Sequence, residues 1–253
     1  MEKHYDSEYL KKAAVTVSGI KNNSYQFFQD ITEGIIVDLG CGNGFDIVEM
    51  QKNLSPTNTY IGVDHDSNLL KNNTSQYESK NLHFIQAEAS KLPFDNNSIS
   101  GIRSERMFQH LENPVETMSE IYRVLETDSP LIILETDWHG INMYSDNLAI
   151  ELQLSKYLVE KKVKFGIASR KIPDLLTQTN FSIKETIVSP VLIKSLQEAN
   201  DVLKIEQIFS EMVELNYISS KESKAFIDKL IQKDTIGNFN CAVDLITFCA
   251  YKN

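Results

Sequence analysis

The sequence predicts an α/β fold: a mostly parallel sheet with helices on both faces, extended by a helical cap. Three observations point there. From Gly34 onward, short apolar runs alternate with helix-like segments, the pattern of a parallel sheet with crossover helices. Most of those runs are rich in β-branched or aromatic residues, as strands buried on both faces should be. The first run leads into VDLGCGNGFD, residues 37–46, where Gly40, Gly42 and Gly44 allow a ligand to come close to backbone.

Taken in order, residues 1–33 form an amphipathic segment with Tyr5, Tyr9, Tyr25, Phe27 and Phe28, expected as an N-terminal helical cap. The core, 34–189, opens with five strand candidates at 35–37, 60–63, 82–85, 99–102 and 131–134, of which 99–102 has the weakest pattern. Asp46 lies in the first turn of the helix after the glycines, and Asp66 can cap the helix that carries Leu69 and Leu70. Asn113-Pro114-Val115-Glu116 supplies an N-cap, a proline at the first helical position and a glutamate at the third, ahead of Met118, Ile121, Tyr122 and Leu125 on one face. Asp146 is read as the start of a long helix through Leu152 and Leu158, and Ile172, Leu175 and Leu176 mark a shorter one ending at Asn180. Residues 181–187 alternate as a strand. Within a helical insertion at 190–238, Val202, Ile205, Phe209 and Met212 recur at helical spacing, and Ser219-x-x-Glu222 opens a second helix with Phe226 and Leu230. The last strand is expected at 240–251, within a final segment 239–253, and the whole chain is read as one domain.

Composition narrows the function. An apolar fraction of 42% with 24% charged residues suits a globular protein, and a net charge of −10 argues against a nucleic-acid partner, whose phosphates need clustered Lys and Arg. Cys41, Cys241 and Cys249 include no C-x-x-C pair and fit buried thiols in a reducing compartment. The N-terminus carries charges where a signal peptide needs an apolar run, and no stretch approaches a membrane span, so the expectation is a cytoplasmic protein without membrane attachment. The five histidines show no metal-ligand spacing, and no metal is expected.

The glycine loop discriminates among ligands. A dinucleotide fingerprint needs G-x-G-x-x-G, but here the spacing is G-x-G-x-G and Phe45 stands at the third position. Asp38 and Asp46 place two carboxylates beside the loop, which would repel a pyrophosphate and favour a ligand with an amino group and a cationic centre. S-adenosylmethionine is such a ligand. No Lys-Ser or Lys-Thr follows the glycines, so the P-loop alternative fails. Asp64, ending Ile61-Gly62-Val63-Asp64, can accept both ribose hydroxyls of an adenosine ligand, a job shared by NAD and adenosylmethionine sites.

With these pieces in place the sequence resembles the class I S-adenosylmethionine-dependent methyltransferases, in the small-molecule branch similar to ubiquinone/menaquinone-biosynthesis enzymes. The resemblance is carried in order by VDLGCGNGFD at 37, IGVDHD at 61, FIQAEASKLPF at 84, GIRSERMFQHLENP at 101 and IYRVLETDSPLIILETDW at 121. It implies a Rossmann-like sheet of seven strands with the last antiparallel. By the same match Asp38, Gly40 and Gly42 border the methionine moiety, Asp64 holds the ribose, Glu88 and Ala89 flank the adenine, and Ser104 sits after the fourth strand, where backbone carbonyls face the cofactor's amino end; Cys41 and His65 complete the expected cofactor-binding set. Departures are Glu88 in place of a shorter acid, Ile99-Ser100 at the start of the fourth strand, and Thr127-Asp128-Ser129 where Pro-Gly-Gly is usual; Asp128 is there the residue suited to a positive φ.

The reaction implied is transfer of a methyl group to a small metabolite, a hydrophobic one being left open, with S-adenosylhomocysteine as product. An in-line displacement asks the protein to align a nucleophile, exclude water and manage a proton. Arg103, Glu105, Arg106 and His110 follow or end the fourth strand, and Glu135, Asp137, Trp138 and His139 the fifth. From these, His139 as base, with Arg106 and Glu105, form the candidate catalytic set; internal pairing of Arg106 with Glu105, Glu135 or Asp137 is the competing reading. Trp138 is open to pocket and core readings alike. A non-catalytic adenosylmethionine-binding subunit and an NAD-dependent oxidoreductase are the rival functions, and a monomer or homodimer is expected.

Overall fold

The computed structural model describes residues 18–253; Tyr5 and Tyr9 lie outside the described residues. Elements are numbered here in chain order. Helix α1, Ser18–Tyr25, and a 3-10 turn lead to β1, Ile35–Leu39, then α2, Phe45–Asn53, β2, Thr59–Asp64, α3, Ser67–Tyr77, and β3, Leu82–Gln86. Next come β4, Gly101–Glu105, the 3-10 turn Phe108–His110, α4, Pro114–Val124, and β5, Pro130–Asn142. The remainder comprises α5, Leu148–Tyr157, the π-helical turn Leu158–Lys162, α6, Ala168–Gln178, β6, Phe181–Ile193, α7, Leu196–Leu203, α8, Ile205–Glu214, α9, Ser220–Thr235, and β7, Cys241–Lys252.

The seven strands form one sheet in the order β3-β2-β1-β4-β5-β7-β6, parallel from β3 to β5 and antiparallel in its last strands. The register aligns Val63, Leu39, Ser104 and Ile133 in one row, so the carboxyl ends of four parallel strands reach the same edge. Ile36, Val37, Val63, Ile102 and Leu131–Leu134 are buried as two-faced strands require. Each such side chain stabilises the fold by about 1.5–3 kcal/mol relative to exposure.

The described chain divides into two compact units. One holds Ser18–Glu135, Ala168–Ile187 and Ile246–Asn253; the other holds Thr136–Ile167 and Val188–Leu245. In the second, Leu154, Tyr157, Phe209, Met212, Phe226 and Leu230 are buried, and Phe209 stacks on Phe226 with centroids 5.0 Å apart. Phe209 and Met212 are thus core residues of that unit.

Local signals perform as their chemistry dictates. Asp66 accepts from the amides of Asn68 and Leu69, Asn113 from Glu116, and Ser219 with Glu222 completes a capping box. Asp128 adopts φ 60 in the turn before β5.

Four expectations are corrected. The fourth strand is Gly101–Glu105 instead of 99–102: Ile99 bridges to Leu125, and the ladder continues through Arg103 and Glu105 because their charges are paired. Strands β5 and β6 run past 134 and 187 to Asn142 and Ile193. Helix α5 is capped by Asn147, whose side chain accepts from Ile150, while Asp146 pairs with Lys229 at 2.5 Å; the helical run passes Leu158 as expected but changes there from α to π turns. The apolar series from Val202 to Met212 is two helices, split at Lys204 with φ 63. Asn200 ties that break by accepting from the Glu206 amide at 3.0 Å and donating to its carboxylate at 3.0 Å.

Candidate functional site

The glycine loop connects β1 to α2. Gly40, Gly42 and Gly44 all have positive φ, of 78, 51 and 73, which accounts for three glycines in five positions. The amides of Gly40 and Cys41 donate to the Val63 carbonyl at 2.8 and 3.0 Å, and Asn73 Nδ2 donates to the Gly42 carbonyl at 2.8 Å. The loop is therefore fastened to β2 and α3. Burial pushes the Cys41 thiol well above its ordinary range, with Asp38 and Asp64 adding to the shift, so it serves as packing in the loop wall.

Asp64 ends β2 on the same edge. Its Oδ2 accepts from the Gly42 amide at 2.8 Å and its Oδ1 from the Asp66 amide at 3.0 Å, so the carboxylate is pre-oriented and bound to the loop. His65 is exposed, with Nδ1 3.3 Å from Asp64 Oδ1. Beyond β3, Glu88 is exposed and Ala89 half-buried in a short bridge closed by the Lys91 amide on the Glu88 carbonyl at 2.9 Å. Ser104 is fully buried on β4, and its Oγ has no hydrogen-bond partner.

The acids beside the glycines are already matched by cations. Arg103, fully buried, lies 3.3 Å from Asp38, 3.4 Å from Asp46 and 2.6 Å from Glu105, with its Nε donating to Ser24 Oγ at 3.0 Å. Lys21 of α1 bridges Asp46 at 2.8 Å and Glu105 at 2.9 Å, Tyr25 donates to Asp46 at 2.6 Å, and Arg106 reaches Glu105 at 2.8 Å. Three carboxylates thus meet three cations, and the expectation that Asp38 and Asp46 stand open to a cationic ligand is corrected. Lys21 and Arg103 neutralise them because bare carboxylates cannot be buried cheaply.

Burial sets the titration of this cluster. Burial drives the Asp38 carboxyl up to about 7, with Arg103 opposing it. For Glu105 burial acts upward too, but Arg106, Lys21 and Arg103 outweigh it and hold the carboxyl well below its usual range. Glu135, fully buried at the β5 side, is lifted to about 8 by burial, against hydrogen bonds from the Gln109 and Phe108 amides.

The candidate catalytic residues fall in different units. Glu105 and Arg106 belong to the unit with the glycine loop, and Arg106 pairs with Glu105, as the competing reading held. His139 belongs to the other unit, where it is exposed and its carbonyl accepts from Ser155 Oγ at 3.3 Å. Lys21 and Ser24 escaped sequence reasoning: neither carries a motif, and their partners lie 25 and 79 residues away. Arg103 was visible as a polar residue in otherwise strand-like surroundings but not as a partner of any particular group, and Glu135 was weighed only as a possible partner of Arg106, not as an acceptor for the Gln109 amide. Among the described residues no group of His, Cys, Asp and Glu could hold a metal ion, and no helix is long and apolar enough to cross a membrane.

Comparison with known proteins adds three findings. Residues 37–133 match a family model described as a methyltransferase domain. Among curated relatives, the chain is 25% identical over 217 residues to an uncharacterized 37.1 kDa protein in a transposon of Streptomyces fradiae, covering 85% of this chain and 61% of that protein. It is 27% identical over 118 residues to a demethylmenaquinone methyltransferase of Lactococcus lactis, covering 46% of this chain and 47% of that one. The chain spans less than two thirds of the length of either relative. Among solved structures, a Bacillus halodurans protein assigned as a methyltransferase aligns with a TM-score of 0.66 at 14% identity, over 92% of this chain and 99% of that chain, which is a likeness of fold.

Proposed function

We propose that the chain is a class I S-adenosylmethionine-dependent methyltransferase that transfers the methyl group of S-adenosylmethionine to a small metabolite by in-line displacement, with S-adenosylhomocysteine as product. The observation that carries the reading is the fastening of Asp64 to the glycine loop: a carboxylate at the end of β2 accepts the Gly42 amide, between two further glycines of positive φ. That arrangement fits a phosphate-free adenosine ligand. The buried, unpartnered Oγ of Ser104 at the same strand edge is a further hydrogen-bonding group suited to it.

When bound, the cofactor supplies a methyl group activated by positively charged sulfur. The residues of this chain then have separate tasks. Asp64 receives the ribose hydroxyls, with His65 beside it; Gly40, Cys41 and Gly42 border the methionine part; Glu88 and Ala89 flank the adenine; Ser104 serves the amino end. Asp38 acts mainly by fixing Arg103, and Glu105 by fixing Arg106, which keeps the edge of the sheet rigid enough to align a displacement. For an oxygen or nitrogen acceptor the proton-accepting role is assigned to His139, whose imidazole offers a basic ring nitrogen.

The finer reading is that the acceptor is a small metabolite, hydrophobic acceptors included. The protein would work in the cytoplasm as a monomer or homodimer, without nucleic acid. Titration calorimetry with S-adenosylmethionine, S-adenosylhomocysteine and NADH tests the cofactor. Binding of the first two is expected, and tight NADH binding with silence toward both would overturn the reading. Incubation with metabolite extracts and S-adenosylmethionine, followed by mass spectrometry for the gain of one CH2, identifies the acceptor; a protein that binds the cofactor but methylates no metabolite would support a non-catalytic role instead.

A further inference from the structure

Glu135 is the first residue of β5 beyond its pairing with β4. The register ends with Glu105 opposite Leu134, and the Arg106 amide closes the ladder on the Leu134 carbonyl at 2.8 Å. Glu135 therefore stands at the carboxyl edge of the parallel strands, where open α/β sheets hold their ligands. Its side chain is fully buried. Oε1 accepts the Gln109 amide at 3.3 Å, the neighbouring Phe108 amide favours the ionised carboxyl, and Oε2 is buried without a hydrogen-bond partner.

Those two amides belong to the turn that follows β4. It starts at Arg106 with φ 50, passes Met107 and continues as the 3-10 turn Phe108–His110. Gln109 Nε2 donates back to the Arg106 carbonyl at 3.1 Å. On its other side the turn covers the glycine loop: a Cβ on Gly40 would lie 2.9 Å from Met107 Cγ. The segment is held to β5 at two points, by the Arg106 amide on the Leu134 carbonyl and by the Gln109 amide on Glu135, and it meets the cofactor loop through Met107. Met107 lies between those two points, so the Glu135 contact helps decide where it sits.

We propose that Glu135 is a positioning residue for methyl transfer, helping to hold the 106–110 turn against the glycine loop through the Gln109 backbone amide it accepts. The inference rests on the methyltransferase reading. In the neutral acid Oε1 keeps its amide contact and the proton rides on Oε2. The charged groups that act on the carboxyl are Arg106, from the turn, and Glu105, from the end of β4, and His110 is the turn's other titratable group. Ionisation adds a buried negative charge that Glu105 opposes and Arg106 attracts. The anion accepts the turn's amides more strongly, but its pull on Arg106 competes with Glu105 for the guanidinium and shifts the start of the turn, and Met107 with it.

Calorimetric titration of the full chain with S-adenosylhomocysteine at pH 7 and pH 9, in the parent, Glu135→Gln and Glu135→Ala, tests this. Parent affinity is expected to fall between the two pH values by about fivefold more than that of Glu135→Gln, which keeps an acceptor oxygen and cannot ionise. The ligand's own amino titration is common to both proteins and cancels in the comparison. Glu135→Ala, lacking the acceptor, is expected to bind about tenfold more weakly at pH 7. Identical pH profiles for parent and Glu135→Gln overturn the proposal even if Glu135→Ala fails to fold. Should the parent bind no S-adenosylhomocysteine at all, the cofactor reading fails on its own. Hydrogen exchange of the Phe108 and Gln109 amides then decides: protection in the parent at pH 9 is expected to be lower than in Glu135→Gln, and equal protection overturns the positioning role.

Discussion

Asp38 on β1 and Arg103 on β4 are register partners across two adjacent parallel strands, with the guanidinium 3.3 Å from the carboxylate and both side chains buried. Partners in register project to the same face of the sheet, so the pair is built by strand alignment itself. The same guanidinium serves Asp46 and Glu105, which makes Arg103 the common counter-charge of three acids from β1, α2 and β4.

Removing that counter-charge should be costly. Arg103→Met leaves buried carboxylates uncompensated and is expected to lower the unfolding free energy by about 3–5 kcal/mol in urea titration. The double variant Asp38→Asn with Arg103→Met should lose less than the sum of the two single changes. A loss of under about 1 kcal/mol for Arg103→Met, the range of an exposed pair, would show that the cluster is not held together by Arg103.

Asp64 is tied to the glycine loop as well as to the proposed ribose site. Asp64→Ala should weaken S-adenosylhomocysteine binding at least tenfold by calorimetry, matching a charge-assisted contact worth roughly 1.5–3 kcal/mol. Asp64→Asn retains an acceptor for the Gly42 amide. It should therefore keep the parent's thermal stability while losing most of the affinity, and unchanged affinity in both variants would place the ribose elsewhere.

Stability should depend on pH with a sign set by burial. Glu135 has its folded pKa raised to about 8 from an unfolded 4.5, so the folded state binds more protons across that interval. Its contribution is full below the unfolded pKa and is lost as pH rises through about 8. Asp38, raised to about 7, acts in the same direction, whereas Glu105, held low, adds stability that is lost only as pH falls below the unfolded value. Urea unfolding is expected to weaken between pH 5.5 and 8.5, and Glu135→Gln should reduce that decline by at least about 1.4 kcal/mol, one unit's worth of shift. An equal decline in both proteins would mean that Glu135 titrates normally.

Gly62, in the middle of β2, has no room for a side chain. An added Cβ would lie 2.8 Å from Phe84 Cδ1 and 2.9 Å from Cys41 Sγ. Gly62→Ala is expected to cost about 1–3 kcal/mol by overpacking. Because Cys41 belongs to the glycine loop, it should also reduce S-adenosylhomocysteine affinity; a variant as stable and as tight-binding as the parent would refute the close approach.

Much of the fold was legible because its signals are local. Asp66, Asn113 and Ser219 cap helices with their own side chains, Asp128 makes its turn from its own conformational tolerance, and the alternation of apolar runs needs only a short window. The glycine loop and Asp64 were legible for the same reason. What escaped was long-range. The stretch Arg103-Ser104-Glu105 reads as too polar for a buried strand, and only its partners on β1, α1 and α2 make it one. The break at Lys204 and the change to π turns after Tyr157 likewise escaped periodicity, which continues through both.

By itself, then, the sequence determined the α/β architecture, the caps, the glycine loop and the carboxylate beside it, since each depends on a few neighbouring residues. Tertiary structure alone decided the charge state of the site. Whether Asp38 and Asp46 face a ligand or a neighbouring cation depends on which residues folding brings within about 4 Å, where Coulomb energy competes with desolvation. Folding brings Lys21 and Arg103, and so a loop that reads as acidic is electrically balanced.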